Sequence, residues 1–173
     1  MTKGGCFMKK ILKLPFLALV TLLTVFSLSS CFVGYKDKTF ETEYYSITLP
    51  ESFYELNRDN NKMYYRNDRV EIYAHYGVDP KGYFFDSRDN MEEYVIAIQE
   101  KLGCYPTESV DRGGYTSFKY YSTNPYGEEV VNFVSCLEQN EQERWFFKFT
   151  CLTRYESLVE PRVDTWTRSI VFV

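Results

Sequence analysis

Residues 144–153 read Arg144, Trp145, Phe146, Phe147, Lys148, Phe149, Thr150, Cys151, Leu152, Thr153. A strand sends successive side chains to opposite faces, so Trp145, Phe147 and Phe149 fall on one side and Phe146 on the other. A sheet with one wet face would alternate apolar and polar residues strictly. Here both faces are apolar, which predicts a central strand covered by one layer above and another below.

Two segments can supply those layers. In 89–102, Met91, Tyr94, Val95, Ile98 and Leu102 recur at three- and four-residue intervals, Asp89 and Glu92 have capping-box spacing, and Gly103 can end a helix in the left-handed conformation. In 156–168, Leu158, Val163 and Trp166 are the expected core-facing residues, with Pro161 starting or kinking the second part. The expected fold class is therefore α+β, an antiparallel β-sheet flanked by helices.

Strands fill the remainder. A first strand is expected at 44–49, ending at Pro50, then a loop through Asn57, Asp59, Asn60 and Asn61 and a short strand at 63–66. Asn67 and Asp68 are turn residues. After them Val70, Ile72, Ala74, Tyr76 and Val78 share one face, and Glu71, Tyr73 and His75 the other. Beyond the first helix, strands at 107–111, 115–122, 129–137 and 144–153 are separated by turn-like segments at Gly113, 124–127 and 138–143, giving an antiparallel meander.

In this order of elements the chain resembles the PsbP-like family, named for an extrinsic photosystem subunit and represented widely among bacterial lipoproteins. The resemblance rests on Tyr45 to Phe53 (Tyr-Ser-Ile-Thr-Leu-Pro-Glu-Ser-Phe), the single long helix ending at Gly103, the Gly113 and Gly114 pair opening a strand, and a terminal segment with Trp166, Ser169, Ile170 and Phe172. It covers most of residues 44–173 and implies an α/β/α sandwich. The family includes protein-binding and assembly-assisting members rather than one shared reaction, and no binding residue transfers by motif.

The N-terminal part carries an address. Lys9, Lys10 and Lys13 precede an apolar run at 14–28, and Leu28, Ser29, Ser30 and Cys31 close it. The run has signal-peptide length and falls short of the roughly 20 residues of a comfortable bilayer span, which is the competing reading. The arrangement resembles a bacterial lipoprotein signal: cleavage after Ser30 leaves Cys31 as the lipidated first residue, and more than one acyl chain makes a stable anchor. The expected organisation is a signal peptide at 1–30, a tether at 31–40 and a domain at 41–173, on the extracytoplasmic face of the cell membrane. Phe32 is not the aspartate that often signals retention at an inner membrane, so the final membrane stays open. Met8 is a second candidate start; a chain begun there lacks Cys6.

The whole chain holds 20 basic and 24 acidic residues, net −4. The four lysines of 1–30 have no acidic counterparts there, leaving 16 basic against 24 acidic side chains after them, net −8. Such a domain is a poor partner for nucleic acid or for anionic lipid surfaces.

Chemistry-bearing residues are few. His75 is the only histidine, so a histidine-activated nucleophile must use it, with Glu71 and Tyr73 on the same strand face to orient the ring. The same spacing is what a solvated sheet face produces. Asp79, Asp86, Asp89 and Asn90 crowd the approach to the helix and offer oxygen ligands for calcium without EF-hand spacing; a solvated turn and a helix cap explain them equally. No motif calls for a cofactor. Cys104, Cys136 and Cys151 remain after Cys31. A hairpin turning at Asn140 and Glu141 sets Cys136 opposite Trp145, about 20 Å from Cys151 along the strand and too far for a bond; Cys104 could still reach either one, and buried thiols are favoured over a disulfide.

Aromatic content is the remaining lead. All 16 tyrosines lie after Cys31, and tyrosine suits both cores and binding surfaces. Asn124, Pro125, Tyr126 and Gly127 form a turn that exposes Tyr126, while Tyr83, Phe84 and Phe85 lie in a loop approaching the helix. These four aromatics are the candidate binding residues, with an envelope protein as the expected partner. The expected function is a non-enzymatic, protein-binding or assembly-assisting lipoprotein; a glycan- or calcium-binding module and a hydrolase using His75 are the alternatives.

Overall fold

The chain runs β1 (Asp37–Glu41), β2 (Tyr45–Pro50), β3 (Tyr54–Asp59), β4 (Lys62–Arg66), β5 (Val70–Tyr76), α1 (Met91–Leu102), β6 (Ser109–Asp111), β7 (Thr116–Thr123), β8 (Glu129–Asn140), β9 (Glu143–Leu152), a 3-10 turn (Thr153–Tyr155), α2 (Glu156–Arg168) and β10 (Val171–Phe172). The computed structural model describes residues 36–59, 62–76, 90–140 and 143–173. Among them, seven strands form one sheet in the order β3-β4-β5-β9-β8-β7-β6, and three form a smaller sheet, β1-β2-β10. Every pairing is antiparallel. The expected meander is the run β6 to β9; it joins the β3–β4–β5 meander edge to edge, through β5 and β9.

Strand β9 is central and covered twice, as its composition demands. On one face Trp145, Phe147, Phe149 and Cys151 pack with Ile72, Val131, Tyr45, Ile47, Val163 and Trp166. On the other, Phe146 joins Val134, Cys136 and Phe118 beneath Tyr94, Val95 and Ile98 of α1. Phe147 and Phe149 are fully buried, and burial of each such side chain stabilises the fold by about 1.5–3 kcal/mol. Tyr45 meets Trp145 and Phe147 edge-on at 5.3 and 5.0 Å between ring centroids, and Trp166 stacks on Phe149 at 6.0 Å.

The α+β class holds, with changes that have physical reasons. The layer opposite α1 is α2 together with the small sheet, because β2 lays Tyr45, Ile47 and Leu49 onto the same core as α2. Strand β1 occupies 37–41, overlapping the end of the segment read as a tether at 31–40: Phe40 is buried, and the strand is held by its ladder to β2. The backbone over 57–59, read as loop, continues β3, with a bulge between Glu55 and Asn57.

Helix α1 is capped one residue later than expected, at Asn90 rather than Asp89. The Asn90 side chain accepts the Glu93 N–H at 2.9 Å, and Glu93 reaches back to the Asn90 N–H at 3.3 Å. Gly103 closes the helix at φ 70°. Helix α2 is continuous through Pro161. It buries Val159, Val163 and Trp166, whereas Leu158 stays 42% exposed because Val159 takes the inward position beside Val163.

Candidate functional site

The β7–β8 hairpin is built around Asn124. Its side-chain oxygen accepts the N–H groups of Tyr126 and Glu128, both at 2.9 Å, and its amide donates to the Glu128 carboxylate at 3.1 Å. The Gly127 N–H closes the turn onto the Asn124 carbonyl at 2.9 Å, and Gly127 adopts φ 82°, which a side chain would strain. This frame holds Tyr126 outward, 88% exposed. An apolar ring on a turn fixed at both ends loses little entropy when it is covered.

Toward the middle of β7 the surface becomes polar and paired. The Tyr121 hydroxyl donates to Glu156 at 2.8 Å, and the Lys119 ammonium donates to Glu156 at 2.9 Å and Glu160 at 3.1 Å. Lys119 first, then Tyr121, holds the Glu156 carboxyl below the usual range. At the start of the strand, Tyr115 donates to Asp164 at 2.6 Å, and the Arg168 guanidinium donates to both of that carboxylate's oxygens at 3.0 and 3.1 Å. Asp164 is thereby held below its ordinary value, Tyr115 being the larger cause. Burial, then Asp164, pushes the Tyr115 phenol up to about 12.

Between this polar seam and β6 lies a cleft of about 580 Å³, floored by Ser117, Lys119 and Phe133 and walled by Val110, Pro161 and Val163. Sequence reasoning missed the seam. Its signal was present as Glu156, Glu160, Asp164 and Arg168 at four-residue intervals, one stripe of α2. What the spacing could not supply was the opposing row, Tyr115 just before β7 with Lys119 and Tyr121 within it.

The other expected residues divide. Tyr83, Phe84, Phe85, Asp79, Asp86, Asp89 and Cys31 lie outside the described residues. Among the described residues no three His, Cys, Asp or Glu side chains gather as a metal site, and no helix is long and apolar enough to cross a membrane. His75 shares its face with Tyr73, as expected, but its ring stacks on Phe146 at 5.3 Å and its Nδ1 donates to the Tyr76 carbonyl at 2.5 Å. By register the next side chain beyond Phe146 is Cys136. Burial pushes that thiol far up, the reverse of what a nucleophile needs.

Cys104, Cys136 and Cys151 are free thiols. Cys136 lies opposite Phe146 instead of Trp145, one residue from the expected register, because the hairpin closes with Asn140 opposite Glu143 and a bulge between Glu138 and Asn140 then shifts the ladder back by one. That step turns Cys136 into the α1 core while Cys151 lies in the α2 core.

No family model and no curated protein sequence matches the chain. Solved structures do. The chain is similar to the Saccharomyces cerevisiae Ran-binding protein Mog1p (TM-score 0.54, 13% identity, covering 80% of this chain and 96% of that one). A point variant of Mog1 gives TM-score 0.55 at the same identity and coverage. The solution structure of cyanobacterial PsbP from Synechocystis sp. PCC 6803 matches at TM-score 0.49 and 10% identity, over 82% of this chain and 96% of that one. At these identities the likeness is one of fold: this chain has the α+β architecture of Mog1.

Proposed function

We infer that this chain is an extracytoplasmic lipoprotein, tethered through Cys31, whose α+β domain is a non-enzymatic module that binds a protein of the cell envelope. One observation carries the binding reading: Tyr126 is presented 88% exposed on a turn locked by Asn124 and Gly127. Rigid exposed tyrosines are favoured anchors at protein interfaces, because they bring a large contact area with few rotamers to freeze. The scaffold shares its fold with a protein whose name records binding of Ran, which supports the use of this architecture for protein recognition. The anchor rests on the lysines, the apolar run and the Leu-Ser-Ser-Cys close of residues 9–31.

The test is a photo-crosslinking amino acid at position 126 of the full-length chain in its native cells. Repeated capture of one envelope protein is the expected result. Absence of any protein adduct, with expression and membrane association confirmed, refutes the reading. Cys31→Ala checks the anchor separately: it abolishes metabolic labelling with palmitate and releases the chain from the membrane fraction.

A further inference from the structure

Strand β6 ends the larger sheet, and among the described residues its strand neighbour is β7 alone. The Arg112 N–H donates to the Tyr115 carbonyl at 2.9 Å. In an antiparallel ladder backbone groups alternate in direction, so Val110 and Arg112 turn theirs toward β7 while Ser109 and Asp111 turn theirs outward. Two residues earlier, at Thr107, the matching groups are already occupied. The Gln99 side chain accepts the Thr107 N–H at 3.2 Å and donates to the Thr107 carbonyl at 2.8 Å. A buried carboxamide thus does for Thr107 what an added strand would do, and among the described residues the edge from Ser109 onward has no such cover.

The side chains follow from the same alternation. Glu108, Val110 and Arg112 fall on the α2 face and line the 580 Å³ cleft, with Phe133 and Val163 as further apolar lining. A strand added to β6 would send every second side chain over Val110 into that space. The charge there favours cations: of the side chains lining the cleft, Glu108, Glu160 and Asp164 are acidic against Lys119 and Arg112, and the Lys119 ammonium is also shared with Glu156 alongside. Edge strands as short as β6 are a common defence against pairing. The adjoining cleft supplies the side-chain capture that a three-residue ladder lacks.

We propose that the outer edge of β6 and the cleft beside α2 bind an extended segment of a partner protein by strand addition, selecting alternating apolar and basic side chains. This rests on the protein-binding reading and locates a second contact, apart from Tyr126.

The probe is an acetylated, amidated peptide of alternating valine and lysine, added to the full chain in detergent micelles and followed by fluorescence anisotropy and amide exchange. Binding is expected to slow exchange at Ser109 and Asp111 at least tenfold. Ser109→Pro removes an outward donor, leaves the β6–β7 ladder intact, and is expected to weaken the peptide at least tenfold. Alternating valine and glutamate is expected to bind at least tenfold more weakly than the lysine peptide. Unchanged affinity in Ser109→Pro, protection elsewhere than β6, or equal affinity for the two peptides overturns the proposal. So does self-association of the chain through β6 without peptide binding. A crosslink at position 126 that persists in Ser109→Pro, with no peptide binding to the parent chain, leaves the binding reading intact and removes this site.

Discussion

The hydroxyls of Tyr45 and Tyr65 meet at 3.2 Å inside the core, and this bond ties β2 of the small sheet to β4 of the large one. Both side chains are fully buried, and burial, with Tyr65 next in effect, pushes the Tyr45 phenol far above its ordinary range, so it stays neutral. Tyr65→Phe leaves the Tyr45 hydroxyl without this partner in a dry site, at a cost of about 1–3 kcal/mol. Adding Tyr45→Phe removes the stranded group and recovers part of the loss. Urea denaturation of the two variants measures this; a double variant no more stable than Tyr65→Phe would show that the loss arises elsewhere.

The seam between β7 and α2 makes stability depend on pH. Asp164 is held below its ordinary value by Tyr115 and then Arg168. A depressed carboxyl contributes stability that is present above its unfolded value and is lost as pH falls through its folded value, that is, below about pH 4. Tyr115→Phe removes the larger of the two bonds and is expected to cost about 1–2 kcal/mol at pH 7. The difference from the parent should shrink as the pH is lowered from 7 through the range in which Asp164 takes up its proton. A deficit that stays equal across that range would mean that the phenol contributes by packing alone.

Thiol reactivity follows the two cores. Burial pushes the Cys151 thiol up to about 11 and the Cys136 thiol further, and Cys104, half-buried, is also raised by burial. The thiolate is the reactive form. At pH 8 an aromatic disulfide reagent is therefore expected to leave Cys136 and Cys151 of the native chain unmodified and to label them once urea unfolds it. Mass spectrometry after brief labelling identifies the sites. Rapid native labelling of Cys136 would place it nearer solvent than the α1 core allows.

What was legible in the chain is what a single element encodes by itself. Five apolar residues at helical spacing located α1, and four aromatics within five positions located the doubly covered strand. The cap of α1 slipped because Asp89 with Glu92 and Asn90 with Glu93 offer the same signature one residue apart. Strand β1 carries one apolar residue, Phe40, and exists because β2 pairs with it; such a strand is a tertiary event without a local pattern. The bulge at Glu138 and Asn140 likewise left no mark in turn composition, yet it decides which core receives Cys136. At the candidate site, the turn residues announced the exposure of Tyr126. The cleft required two rows to meet, one on α2 and one on β7, and each row alone reads as an ordinary solvated face.

Phe146 and Phe147 are adjacent in β9 but belong to different cores, and that separation is measurable. Phe147 packs against Tyr45 and Trp145, the core shared by α2 and both sheets. Phe146 lies under α1, stacked on His75, with the Lys101 ammonium 5.3 Å from its ring centre. Truncating a buried phenylalanine to alanine costs about 3–5 kcal/mol. Phe147→Ala is expected to lower the protection of amides across the sheet and α2 together, because its cavity opens at the joint of three elements. Phe146→Ala removes the side chain that β9 contributes to the core beneath α1, so amide exchange within Met91–Leu102 should accelerate well before that of Glu156–Arg168. Hydrogen exchange on the two variants distinguishes the cases. Uniform acceleration in both helices of Phe146→Ala would show that the layers on either side of β9 unfold as one unit, despite having no core residue in common.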